Sequence, residues 1–434
     1  MRRTSIVVAA AVAAILANGC ASGPVEPSAS AAIASSPAVG SAVAPSLSAG
    51  PSGDPWLADL AYLDKQVRAL HPNPFANNPE SVWVAKVDEL RQSLPTATPD
   101  QRIVGIASLV GLLDTHSGFF LGPLHAYDVL LYPFSDGWFV DRARDSKLVG
   151  ARVVSIGGHP IADVEAALRP LVPADNESGE LDGLQIISMV EFLHGLGIVD
   201  DPAKPAFVFA MPDGTTQTVD LTSSVEQTWE RDLGIIGDLM GDAPESVARR
   251  GEAIWTRIDK PTKTFVISFN DYTEDDPPKA IAAMQAALAD GSATRVLFDM
   301  RYVRGGNGSL AFPLIEAIKG DPRINRPGGL IVMTGRENVS AGTIVAQAFD
   351  TQTQAILVGE MTPARANNYL CECRDIDLAN SGLSVSVPTE QNVNGDTRLA
   401  VEPDIPVALS AADFFAGRDP ALKIALALKD PAAK

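Results

Sequence analysis

The chain has 434 residues, with 53 acidic against 34 basic side chains and a formal net charge of −19. Its 46% hydrophobic and 20% charged content is ordinary for a globular protein, and its length allows two or three cores, so disorder throughout is excluded. A surface this acidic repels phosphate backbones, which argues against nucleic acid as a partner and against charge-driven binding to anionic lipid; three cysteines cannot form a disulfide framework.

Arg2 and Arg3 precede the apolar run from Ile6 to Leu16, followed by Ala17-Asn18-Gly19-Cys20. A basic start, a short apolar stretch and small residues at the end form a secretory leader, too short to span a bilayer as a stable helix. Gly19-Cys20 resembles a bacterial lipoprotein processing site, with Cys20 as the lipidated first residue of the mature chain and a plain cleaved leader as the alternative. The leader is residues 1–19. Residues 20–54 carry only Glu26 and Asp54 as charges and, after Cys20, are mostly Ala, Ser, Pro, Gly and Val with no aromatic, which reads as a flexible tether. The expected location is extracytoplasmic, anchored to the cell membrane by lipid, with secretion as the alternative.

Residues 55–120 have helical periodicity. Trp56, Leu57, Leu60, Leu63, Val67 and Leu70 recur at spacings of three and four up to His71-Pro72. Amphipathic runs Val82 to Leu94 and Ile103 to Leu113 follow, the last opened by Thr98 at a cap position and Pro99 at the first helical position. This section reads as a helical bundle ending in Asp114-Thr115-His116-Ser117-Gly118. Residues 121–245 change period: β-branched residues alternate from Val149 to Ile156, Gly157-Gly158 turns the chain, and a helical run spans Val164 to Leu171. That order suggests a PDZ-like module, a fold that captures extended peptide or a carboxylate.

From 246 to 434 strands and helices alternate: strand 264–269, helix 279–289, strand 295–299, helix 309–318, strand 329–333, a helix opened by Ser340, and strand 356–359. Such alternation implies βαβ units in a layered α/β domain, with function at the carboxyl ends of the strands. Two loops there carry chemistry. Asp299-Met300-Arg301 with Gly305-Gly306 puts glycines after a buried strand, where backbone N–H groups can face a substrate oxyanion; a plain strand-to-helix turn is the alternative. Ser340 stands at a helix start, where the N–H of Ala341 is free for an oxyanion, and the alternative is a serine that merely caps the helix.

Histidine is scarce: His71, His116, His125, His159 and His194 are all there are. Only His116 sits among Asp114, Thr115 and Ser117 at an element boundary, and no pair has metal-ligand spacing, so neither metal nor other cofactor is expected.

The order of Asp114-Thr115-His116-Ser117, the PDZ-like segment, Asp299-Met300-Arg301 with Gly305-Gly306, Ser340-Ala341-Gly342, Val358-Gly359-Glu360 and Glu402-Pro403-Asp404-Ile405 resembles the tail-specific (C-terminal processing) serine protease family, closer to the branch of the tricorn core and the retinoid-binding-protein modules. The resemblance covers about residues 55 to 420. It implies a crotonase/Clp-protease-like spiral α/β core with Ser340 as nucleophile. Where the Ser-Lys branch has its lysine base, this chain has Arg365, which stays protonated. The resemblance therefore implies a triad in which His116 is the base, backbone N–H groups of Gly306 and Ala341 form the oxyanion hole, and a late acid orients His116. Asp396 is the first candidate for that acid, with Glu360 and Glu402 as rivals.

Cys371 and Cys373 could pair across one residue or remain free thiols. The expected function is an extracytoplasmic serine peptidase acting on peptide or protein substrates. The alternatives are a non-catalytic peptide- or lipid-binding lipoprotein on the same fold, and an acyl hydrolase of non-peptide esters.

Overall fold

The computed structural model describes residues 54–120, 124–225, 244–370, 373–392 and 394–429. The leader, Cys20 and all of the tether but Asp54 lie outside the described residues, as does Cys371; Cys373 is disulfide-bonded. Among the described residues no helix is long and apolar enough to cross a membrane.

The N-terminal helices run Pro55–Leu70, Glu80–Ser93 and Pro99–Val110. Thr98 caps the third through a reciprocal box with Gln101, and Pro99 costs it nothing because a first-turn N–H has no helical partner. Leu60, Leu63, Val67, Trp83, Val87, Leu90, Ile106 and Leu109 close a shared core. That core is not made by the helices alone. Ile376, Leu378, Leu383, Val385 and Val387, from a hairpin late in the chain, complete it. Its strand Ser384–Val387 pairs antiparallel with Gly118–Phe120, so the end of the helical region is stitched to the last third of the chain.

The middle section is an antiparallel sheet of strands Val129–Phe134, Gly137–Ala143, Arg152–Ile156, Phe207–Ala210 and Thr216–Val219. The Gly157-Gly158 turn leads through His159–Pro160 into the helix Ile161–Leu168, three residues earlier than its apolar pattern begins because Pro160 serves as the cap.

The third section holds a six-stranded sheet. Ile254–Asp259 pairs antiparallel with Thr264–Phe269, and from there Arg295–Asp299, Leu330–Thr334, Ile356–Gly359 and Ile405–Pro406 follow in parallel. Every residue of Thr264–Phe269, Arg295–Asp299 and Leu330–Thr334 is buried, as a sheet covered on both faces requires. One face meets the helices Asp276–Ala289, Phe312–Lys319 and Ala341–Gln352 through Phe269, Phe298, Val332, Met284, Ile315 and Phe349. The other packs Val266, Leu297, Ile331 and Val358 against Ala421 and Ala425 of the helix Pro420–Ala427. Because the strands are parallel, Asp299, Thr334 and Gly359 all end on one side, and the loops that follow them build the site.

Candidate active site

Ser340 is the residue before the helix Ala341–Gln352, and its backbone sits at φ 54°, ψ −122°. A side chain at positive φ is sterically disfavoured, and such strain costs on the order of 1–3 kcal/mol. Its hydroxyl makes no capping bond to the helix it precedes, so the plain-cap alternative fails here. The turn is held by residues around it. Asn338, fully buried, donates from Nδ2 to Met300 O at 2.5 Å and Val303 O at 3.0 Å, and its Oδ1 accepts from the Gly335 N–H at 2.8 Å. From the other side, Asn368 Nδ2 donates to Ser340 O at 2.6 Å.

The loop after Asp299 lies directly on this helix start. The Gly342 N–H donates to Arg304 O at 2.9 Å, an approach only glycine permits, since a Cβ there would stand 2.5 Å from Val303 O. A Cβ built on Gly308 would meet Ala341 Cβ at 3.2 Å. Gly306 has φ +133°, a region closed to other residues, with Tyr272 packed against it. The glycine loop and the Ala341 N–H, both expected from sequence to serve an oxyanion, are thus brought together at one helix N-terminus.

His116 sits in the turn after the helix Pro99–Val110, and its N–H donates to Asp114 Oδ1 at 2.8 Å. It is 8% exposed, and neither ring nitrogen has a hydrogen-bond partner. A buried imidazole without partners is expensive, and a site that supplies the partner on binding is the physical reason to keep one. Its ring stands 6.2 Å from that of Tyr369, the neighbour of Asn368 that bonds Ser340. His116 and Ser340, far apart in sequence, therefore meet the same two-residue segment. Burial lowers the pKa of His116; Asp114 and Asp175 pull it up, and the Arg365 guanidinium pushes it down.

The expected Asp396–His116 contact is not formed. A local Asp-x-Arg turn captures Asp396: its carboxylate takes the Arg398 N–H and guanidinium, at 2.7 Å to Nη2, and these bonds hold it below the usual carboxylate range. Of the rival acids, Glu360 is paired with Arg336 at 2.6 Å and Glu402 is exposed. Arg365 does lie beside the site, where it bonds Asp175 at 2.9 Å and faces the Tyr369 ring at 5.8 Å. Sequence reasoning missed Asn338, Asn368 and Tyr369; His71 does stand at the helix end where it was placed, and what the sequence did not reveal is that its Nε2 lies 2.5 Å from Asp114 Oδ2. Among the described residues no cluster of three or more His, Cys, Asp or Glu could hold a metal.

No protein-family model matches the sequence, and no curated protein matches it. Solved structures do. The structure of mature CPAF complexed with lactacystin matches at TM-score 0.61 and 15% identity, over 86% of this chain and 97% of that one. The crystal structure of mature CPAF matches at TM-score 0.56 and 15% identity, over 83% and 94%. The photosystem II D1 C-terminal processing protease matches at TM-score 0.38 and 13% identity, over 85% and 99%. The fold is that of mature CPAF.

Proposed function

We propose that the protein is a serine peptidase. The observation that carries this reading is Ser340 in a strained, uncapped position where the glycine loop and a helix N-terminus converge. In the reaction His116 takes the Ser340 hydroxyl proton as Oγ attacks a peptide carbonyl, and the N–H groups of Gly306 and Ala341 stabilise the tetrahedral oxyanion. His116 then returns the proton to the leaving amine, and water repeats the sequence on the acyl-enzyme. The burial that lowers the His116 pKa keeps the ring neutral, and so competent as a base, at neutral pH. An extracytoplasmic location with lipid on Cys20 belongs to the same proposal and rests on the leader sequence. The test is Ser340→Ala with a casein or peptide-library substrate and a serine-reactive fluorophosphonate. Turnover and labelling are both expected to vanish, and either one persisting at the wild-type rate removes Ser340 as nucleophile.

A further inference from the structure

The catalytic base needs a negative charge to hold its imidazolium, and the acid expected late in the chain is elsewhere. The groups facing His116 are Asp114 on its own turn, His71 after the helix Pro55–Leu70, Asp175 ahead of the helix Glu177–Gly183, and Arg365 and Tyr369 beyond the strand Ile356–Gly359. Two of them are acids. Asp175, with a fully buried side chain, is matched by Arg365, whose Nε, Nη2 and backbone N–H all donate to it at 2.9–3.1 Å. Its charge is spent inside that pair.

Asp114 is different. Its partner His71 accepts the Asn73 N–H on Nδ1 at 3.1 Å, so the His71 proton is on Nε2, where it donates to Asp114 Oδ2 at 2.5 Å. That bond satisfies the carboxylate without cancelling its charge. Ser117 Oγ and the His116 N–H supply two further donors, at 3.4 and 2.8 Å. Burial opposes ionisation of Asp114, but hydrogen bonds from the His71 ring and the His116 N–H favour the charged form, and the carboxylate lies below its usual range. The His71 ring is in turn wedged edge-on against Tyr369, with centroids 5.1 Å apart, so the pair is held rigidly behind His116.

We propose that Asp114, oriented by His71, is the positioning residue that fixes the His116 turn and supplies the uncompensated negative charge for its imidazolium. The role rests on the peptidase reading. It differs from the hydrogen-bonded acid of a serine triad in acting on the ring through space while binding the backbone N–H of the same residue.

The test is Asp114→Asn, which keeps the shape and removes the charge, with Asp114→Glu and Asp396→Asn in parallel. Fluorophosphonate labelling of wild-type Ser340 is run first, so that failure of the peptidase reading is seen separately. In Asp114→Asn kcat is expected to fall on the order of 10- to 100-fold with KM little changed, less than the ~10⁴-fold seen when a ring-bonded triad acid is replaced. The acid limb of the pH profile of kcat/KM moves to lower pH, because the lost carboxylate no longer raises the His116 pKa. Asp114→Glu restores part of kcat, and Asp396→Asn stays within about two-fold of wild type with its acid limb in place. An unchanged kcat and acid limb in Asp114→Asn overturns the proposal. If that variant does not fold, Asp114→Glu decides: a lowered kcat with the acid limb left in place supports the proposal, and an unchanged kcat there, or a loss above ten-fold with a shifted acid limb in Asp396→Asn, overturns it.

Discussion

Asn338→Ala should cost both stability and the reactivity of Ser340, in a ratio that the structure sets. Three hydrogen bonds are lost from a fully buried side chain. Met300 O keeps one donor, the Val303 N–H at 3.1 Å, so its loss is the smallest. Val303 O and the Gly335 N–H are left buried without their partner, at about 1–3 kcal/mol each. With about 0.5–1 kcal/mol for the Met300 bond the total is about 5 kcal/mol, a large part of a typical folding free energy of 5–15 kcal/mol. Urea unfolding measures that term. The second consequence is local: the Ser340 turn is released from the loop that carries Gly306, and misplacement by about 1 Å costs roughly 100-fold in reactivity. The fluorophosphonate labelling rate, taken well below the unfolding midpoint, measures it separately. Asn338→Asp adds a sign check. Its carboxylate would face two carbonyl oxygens, so its folded pKa lies above the unfolded value near 3.9, and the deficit relative to wild type must widen as pH rises through that window. An Asn338→Ala protein within about 1 kcal/mol of wild type and labelled at the same rate would refute this account of the turn.

Gly306→Ala forces a side chain into φ +133° and brings a Cβ to 3.0 Å from Tyr272 Cδ2, so the loop must shift and carry its N–H away from the oxyanion. We expect kcat to fall on the order of 100-fold while stability drops by only about 1–3 kcal/mol, and an unchanged kcat would exclude this glycine from the oxyanion hole. Cys20→Ala in the full-length chain should abolish incorporation of labelled palmitate and release the protein from the membrane fraction; membrane retention without lipid would contradict anchoring at Cys20.

The parallel sheet was legible because its strands are short continuous apolar runs between turn residues: Thr264–Phe269, Arg295–Asp299 and Ile356–Gly359 stand where the pattern puts them. Helix starts were less so. The helix expected to begin at Ser309 begins at Phe312, because Asn307 first closes a tighter turn over Gly308–Leu310. What local pattern could not reveal is pairing across the chain. The Ser384–Val387 strand reads as ordinary alternation, and nothing in it says that Val385 and Val387 complete the core of the first three helices. The same holds at the site. Ser340 and His116 stood out by position and scarcity, but Asn338 and Asn368 look like turn residues in sequence and become supports only through burial. Asp396 failed for a related reason: the family resemblance suggested a role, while Arg398 two residues on offered the nearer partner.

A cap elsewhere in the chain shows how unusual Ser340 is. Thr98 and Ser410 each stand before a helix with an extended backbone, φ −65° and −89°, and each accepts a main-chain N–H from within the first turn. That is what a hydroxyl at this position gains for stability. Ser340 has the opposite of both features: a positive φ and no cap bond. The turn therefore gives up the stabilisation a cap would bring, about 1 kcal/mol, and adds backbone strain of similar size or more. His116 adds a second cost, two buried ring nitrogens without partners. Both costs fall within reach of the same pair, Asn368 and Tyr369. A fold selected for stability alone would relieve each by a single substitution. Their coincidence at the carboxyl ends of the parallel strands is accounted for if a bound acyl group supplies what the free site leaves unpaired.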